Sequence, residues 1–255
     1  MKKFLFTILT CLLLVACYDV NEEILIRENG SGHYTSKIDM SGLLEMMQNF
    51  GTEADLAKEG LDRSIDTMIM LRTMLDSNKT LNADERAIME TGKMHMIMSL
   101  KEKKFTIDMD FDFRNNKDLE YLIAGMGNGG FSDVLKDVFQ KDKPSEPQLD
   151  APKDLDVDQF SNMYDVQVQK GSISKKINRV KLDSMMQRPE MAQMNQMGAT
   201  GMEILYTTTI VLPRPVKKVS NPGIKVSDDK KRLTIKNNLM DVFEKPEVFE
   251  YVIEY

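Results

Sequence analysis

Two runs of strict alternation constrain this chain more than any other feature. Lys93 to Leu100 reads KMHMIMSL and Phe105 to Phe113 reads FTIDMDFDF. Apolar residues recur at every second position in both, the period of a strand with one buried face. The charged segment between them marks an antiparallel hairpin. A turn centred on Glu102-Lys103 sets Leu100 against Phe105, Met98 against Ile107, Met96 against Met109 and Met94 against Phe111. The opposite face then pairs His95 with Asp110 and Lys93 with Asp112. One register serves both faces, because a slip of one residue would exchange them.

The same signals recur along the chain. Glu23–Arg27 and Tyr34–Met40 flank Asn29-Gly30-Ser31-Gly32, where turn glycines supply positive φ. Placing Ile24 and Ile38 on one face requires a loop with an odd number of residues. A third hairpin turns at Lys170-Gly171, pairing Val168 with Ile173, Tyr164 with Ile177 and Asp165 with Lys176. Glu203–Leu212 is a further strand. After a turn at Ser220–Gly223 come Ile224–Val226 and Arg232–Lys236, and last an alternating strand over Val248–Tyr255. Helical stripes are interspersed. Ser41 caps one that presents Leu43, Leu44, Met47 and Phe50. Leu61, Ile65, Met68, Ile69 and Leu75 form a second stripe, and residues 118–139 a third region, broken by the glycines of Gly125–Gly130. Strands and helices do not alternate as βαβ units, so the expected class is α+β: an antiparallel sheet built from hairpins with interspersed helices. Gln140–Gln159, with three prolines and many charges, reads as a linker or long surface loop within a domain spanning residues 23–255.

The N-terminus places the chain in a cell. Lys2 and Lys3 precede an apolar run, Phe4 to Leu14, too short to span a bilayer and suited to a signal peptide. It ends in Leu14-Val15-Ala16-Cys17, the pattern of a bacterial lipobox. Cleavage between Ala16 and Cys17 removes residues 1–16, and the Cys17 sulfur receives the lipid. The mature chain keeps 239 of 255 residues and none of the signal's charge, so its net charge falls from −6 to −8. Cys11 leaves with the signal and Cys17 is acylated, so the two cysteines offer neither a disulfide nor a thiolate metal site. An acidic chain of this kind has no electrostatic footprint for nucleic acid. Residues 17–22 read as a short tether reaching roughly 17 Å at most, which keeps the domain close to the membrane. Asp19, Glu22 and Glu23 read as solvated residues at a strand start or as an acidic export signal.

The order of elements carries a resemblance. A strand, a Gly-x-Gly turn, a second strand, helices and a long hairpin lead to YTTTIVLPRPVKKVSN, in which a strand ends at Pro213, and then to IKVSDDKKRLTIKNNL. This resembles the LppM-like envelope lipoproteins. The resemblance implies a membrane-anchored, non-catalytic α/β domain in contact with lipid, and it transfers no functional residue.

Catalysis finds little purchase. Of the two histidines, His33 borders a turn and His95 is expected to pair with Asp110. Ser99 and Thr106 share a face with His95, but no nucleophile-elbow pattern accompanies them, and a surface ion pair is the simpler reading. Asp108, Asp110 and Asp112 stand ~6.6–6.8 Å apart along one strand face, too far to gather around a calcium ion. GMGNGG lacks the Lys-Ser/Thr ending of a phosphate loop. No cofactor and no metal is expected.

Methionine is the remaining signature, with 21 in the chain. Met191, Met194 and Met197 form an M-x-x-M-x-x-M triplet, with Met186 on the same side of a helix. Three readings stay open: core packing, an apolar flap or surface for a lipid or partner, and a thioether trap for Cu(I). The functional expectation is a lipid-anchored module of the bacterial cell envelope, at the outer membrane in a diderm cell, that binds or scaffolds without catalysis. Its partners would be the membrane and a lipid or another envelope protein. The alternatives are an amphiphile-binding protein and a Cu(I)-binding protein.

Overall fold

The computed structural model describes residues 17–50, 64–75, 81–125, 163–188, 191–192 and 203–255. They form an α+β fold of two sheets that share one core. The larger sheet is built on β1 (Cys17–Ile26), β2 (Gly32–Asp39), β3 (Ile65–Met70), β4 (Lys93–Ser99) and β5 (Lys104–Phe113). Later in the chain β8 (Glu203–Val211), β10 (Lys225–Val226) and β11 (Arg232–Asn238) complete it. Its order is β10-β11-β8-β1-β2-β5-β4-β3, with β1 and β8 parallel and every other described pair antiparallel. The smaller sheet contains β6 (Tyr164–Gln169), β7 (Ser172–Ile177), β9 (Lys218–Val219) and β12 (Tyr251–Glu254), in the order β6-β7-β12-β9. Among the described residues four helices accompany them: α1 (Ser41–Phe50), α2 (Ala83–Met89), α3 (Asn116–Ile123) and α4 (Arg179–Met186). Among the described residues, no helix is long and apolar enough to cross a membrane.

The alternating hairpin forms as expected in kind and differs in register. Met94 faces Met109, Met96 faces Ile107 and Met98 faces Phe105, a displacement of two residues from the pairing drawn on the pattern. His95 therefore lies opposite Asp108, and Lys93 opposite Asp110. A two-residue slip keeps every side chain on its face, so the alternation cannot exclude it. Turn chemistry decides. The Glu102 amide donates to Ser99 Oγ at 3.2 Å and the Lys103 amide to the Leu100 carbonyl at 3.2 Å, with Lys103 at φ 50°. The turn is thus the four residues between Ser99 and Lys104, centred one position earlier. Met94, Met96 and Met98 are fully buried, with Phe111 beside them, so these methionines are core.

The β6–β7 hairpin has the expected register in full. The first hairpin closes through a five-residue loop, an odd number, with Gly30 at φ 81°. The final strand is shorter than its pattern: Pro246–Phe249 is a 3₁₀ turn, although Phe249, Tyr251, Ile253 and Tyr255 are all buried.

Two expectations are corrected. Residues 65–70 are strand, not helix: β3 pairs antiparallel with β4, Ile65 opposite Met98. Met68, placed by helical spacing on an apolar stripe, is 59% exposed. The edge of β4 offers a row of backbone donors and acceptors, and satisfying them outweighs the weak local preference of a six-residue segment. Residues 17–22 are not a free tether either. β1 begins at Cys17, paired with Glu203 of β8, because parallel pairing with β8 runs the whole length from Cys17 to Leu25. The third helical region begins at Asn116, where the Asn115 side chain accepts from the Lys117 and Asp118 amides. Its continuation beyond residue 125, the glycine-rich break and the proline-rich stretch at 140–159 lie outside the described residues.

Candidate functional site

The residues singled out on sequence grounds do not converge. Ala16, Met194 and Met197 lie outside the described residues. Met191 is 4% exposed and packs in the core, with Met186 half-buried against it. Met191 therefore is not displayed as a ligand or flap residue. Cys17 stands at the start of β1.

The histidines sit on the solvent face of the large sheet. His33 lies between two carboxylates, Nε2 3.0 Å from Asp110 and Nδ1 3.1 Å from Asp112. A neutral imidazole carries one N–H and donates to one of them; both bonds form when the ring is protonated. His95 Nε2 is 2.8 Å from Asp66 on β3, the strand that sequence reasoning took for a helix. Ser99 is buried and accepts the turn amide of Glu102, so it is a turn residue without a base. Among the described residues, no three metal-ligating side chains of the His, Cys, Asp and Glu types come together.

Two other places concentrate polar groups, and both were missed on sequence grounds. The first lies between the sheets. Glu22 is on the inward face of β1, with Ser36 and Thr208 as its register neighbours. Tyr34 Oη donates to Glu22 Oε1 at 2.7 Å and Thr208 Oγ1 to Oε2 at 3.1 Å. Tyr206 also hydrogen-bonds this carboxylate. From the facing sheet, Lys175 of β7 brings its Nζ over the Tyr164 ring at 4.5 Å and the Tyr206 ring at 5.8 Å. Lys175 is 7% exposed. Burial holds its pKa below the ordinary lysine range, and the Glu22 charge pulls in the other direction. Burial raises the hydroxyl pKa values of Tyr34, Tyr206 and Tyr251, and the Glu22 charge adds to the rise. The Lys175–Tyr206 cation–π contact joins the two sheets, and the hydrogen bonds to Glu22 tie β1, β2 and β8 together within the larger one. This nest presents no reacting pair to solvent.

The second place is a cavity of about 460 Å³ where the turns of both sheets meet. The β1–β2 turn contributes Arg27 and Glu28, the β5–α3 junction Lys117, the β6–β7 turn Lys170, and the end of β8 Arg214. Arg214 Nε is 3.6 Å from Glu28 Oε2, and the guanidinium lies 5.9 Å from the Tyr255 ring. Lys117 pairs with Asp84 of α2. Gly30 and Gly171, both at positive φ, sit in these turns, Gly30 close to Asn116 and Gly171 close to the Tyr255 main-chain oxygen. These groups come from four regions separated by up to 187 positions between Arg27 and Arg214, so no local motif announces them.

The fold and these sites define a two-sheet α+β domain with a cationic cavity at one end of its sheets. Comparison of the chain with protein-family models, with curated proteins and with solved structures finds no match.

Proposed function

We propose that this protein is a lipid-anchored component of the bacterial cell envelope, in which the α+β domain serves as a non-catalytic binding or scaffold module held against the membrane. The observation that carries the reading is the junction at Cys17. The lipobox Leu14-Val15-Ala16-Cys17 runs without a spacer into β1, whose first pairing partner is Glu203. An acylated Cys17 would bring that end of the large sheet to the headgroups, with no flexible chain between lipid and fold. Several acyl chains bury enough methylene groups for stable anchoring, whereas one is marginal.

The non-catalytic part rests on the histidines, which face carboxylates on an open sheet surface with no nucleophile beside them among the described residues. The amphiphile and Cu(I) readings both depend on the Met191 segment, and Met191 is core. The exposed large apolar residues among the described ones, Met68, Val180, Leu205 and Val226, sit on four different elements, and Met68 and Leu205, which share a face of the large sheet, have four strands between them.

The test is metabolic labelling with an alkyne fatty acid, followed by membrane fractionation. The native chain should carry the label, lose residues 1–16 and sediment with membranes. Cys17→Ser should remain unlabelled and uncleaved. A Cys17→Ser chain that is processed and membrane-bound like the native one would defeat the proposal.

A further inference from the structure

The cavity at the turn end gathers positive charge in an acidic protein. Arg27, Lys117, Lys170 and Arg214 face one side-chain carboxylate, Glu28, a side-chain balance of +3 at the cavity. The chain as a whole carries −6, so the residues outside the cavity sum to −9. Like charges brought together from separate loops repel one another in the folded state. Internal partners answer only part of this charge. Lys117 is held by Asp84, but Arg27 and Lys170 have no ion pair among the described residues. Arg214 Nε is buried and reaches no hydrogen-bond acceptor, since the Glu28 oxygen at 3.6 Å is beyond bonding distance. The Arg214 side chain as a whole is 44% exposed, so its guanidinium can still meet an anion in the cavity.

We infer that this cavity binds a small solute carrying two or more negative charges on phosphate or carboxylate groups. Two guanidinium groups, from Arg27 and Arg214, match the paired oxygens of such groups, and Lys170 adds a point charge. A volume of about 460 Å³ falls within the roughly 300–1,000 Å³ of small-molecule sites. It exceeds what one oxyanion fills, so the solute has an organic body or a second charged end. The Tyr255 ring beneath Arg214 gives that body an apolar wall. The cavity opens next to the Ile26 end of β1, and Cys17 is at the other end, about 30 Å away along the strand. Only its orientation, facing away from the anchoring membrane, rests on the envelope reading; binding itself does not.

The experiment is calorimetric titration of the mature chain, in neutral-headgroup nanodiscs, with pyrophosphate and with citrate at constant ionic strength. At least one should saturate a single site. Arg27→Ala combined with Lys170→Ala should weaken it tenfold or more, and Lys225→Ala, on β10 outside the cavity, should leave it unchanged. Thermal melting checks that the double variant is folded; if it is not, Lys170→Gln alone, at an exposed turn, should still weaken binding about threefold. A Cys17→Ser chain should bind with native affinity whether or not the anchor reading stands. Heat that never saturates with either probe would overturn the inference, as would equal affinity in the cavity variants. Co-sedimentation with phosphatidylglycerol vesicles that the double variant abolishes, without binding of either solute, would assign the cavity to a lipid surface and also overturn it.

Discussion

Replacing Lys175 by methionine should stabilise the protein at neutral pH. The residue is 7% exposed and its ammonium lies over two tyrosine rings. Burial lowers its pKa from the ordinary value of about 10.4. A lysine depressed in this way is a cost to the folded state. Below the folded pKa both states are protonated and the whole cost is present. Between the folded pKa and about 10.4 the unfolded chain holds more protons, so stability rises with pH and the cost fades. Methionine has nearly the same length and no charge. The exchange gives up a cation–π contact of about 0.5–2 kcal/mol and removes the desolvation of a buried ion, several kcal/mol. Glu22 loses an opposing charge but keeps its hydrogen bonds to Tyr34 and Thr208. The net expectation is a gain of about 1–2 kcal/mol at pH 7, or roughly 2–8 °C in Tm for a domain of this size. Urea denaturation at pH 7 and pH 9.5 measures it, and the difference from wild type should shrink at the higher pH. Glu22→Gln tests the other half: it removes the charge that favours the ammonium, should cost about 1–3 kcal/mol, and should be partly rescued by Lys175→Met. A Lys175→Met protein less stable than wild type by more than about 1 kcal/mol, with no change between the two pH values, would refute the reasoning.

Three further outcomes are expected. Alanine at Gly32 would put a Cβ 1.9 Å from the Leu25 carbonyl oxygen and 2.1 Å from Phe113 Cζ; the strand must shift, costing about 3 kcal/mol or more by denaturant titration. Asp118 is buried, which favours its neutral form, yet bonds from the Arg114 guanidinium and amide outweigh burial and hold its pKa below the ordinary carboxylate value. Its stabilisation is therefore complete above about pH 4 and lost as pH falls through the lower folded value; Asp118→Asn should cost about 1–3 kcal/mol at pH 7 and flatten the acid limb of a stability–pH curve. Tyr18, Tyr34, Tyr164, Tyr206 and Tyr251 all have raised pKa values, chiefly from burial. The unfolded chain releases their protons first, so stability should fall steeply above about pH 10, and absorbance at the tyrosinate band should rise together with loss of circular dichroism; ionisation in the folded state before unfolding would contradict this.

Much of the fold was legible in the chain, and the parts that were not share a cause. The β6–β7 register followed from a two-residue turn at Lys170-Gly171, where a tight loop leaves a single pairing. The β4–β5 faces followed from alternation, but a four-residue turn left the register open by two. β3 was misread because Ile65, Met68 and Ile69 also fit a helical stripe, and only β4's unpaired edge settles the choice. The inward phase of Lys175 could have been read from Ile173 and Ile177 on either side of it in the correctly assigned hairpin. Glu22 could not, since β1 was taken to begin after it.

The chain by itself determined the α+β class and the face on which most strand residues lie, because each depends on neighbours a few positions apart. Tertiary structure decided what is joined across the fold. It pairs β1 with β8 from Cys17 onward, sets Lys175 against Tyr206, and draws Met191 into the core. It also assembles the cationic cavity from Arg27, Lys117, Lys170 and Arg214. Local periodicity specifies which side of an element is apolar. It carries no information on which distant element covers that side, and charge brought together at loop ends leaves no spacing to read.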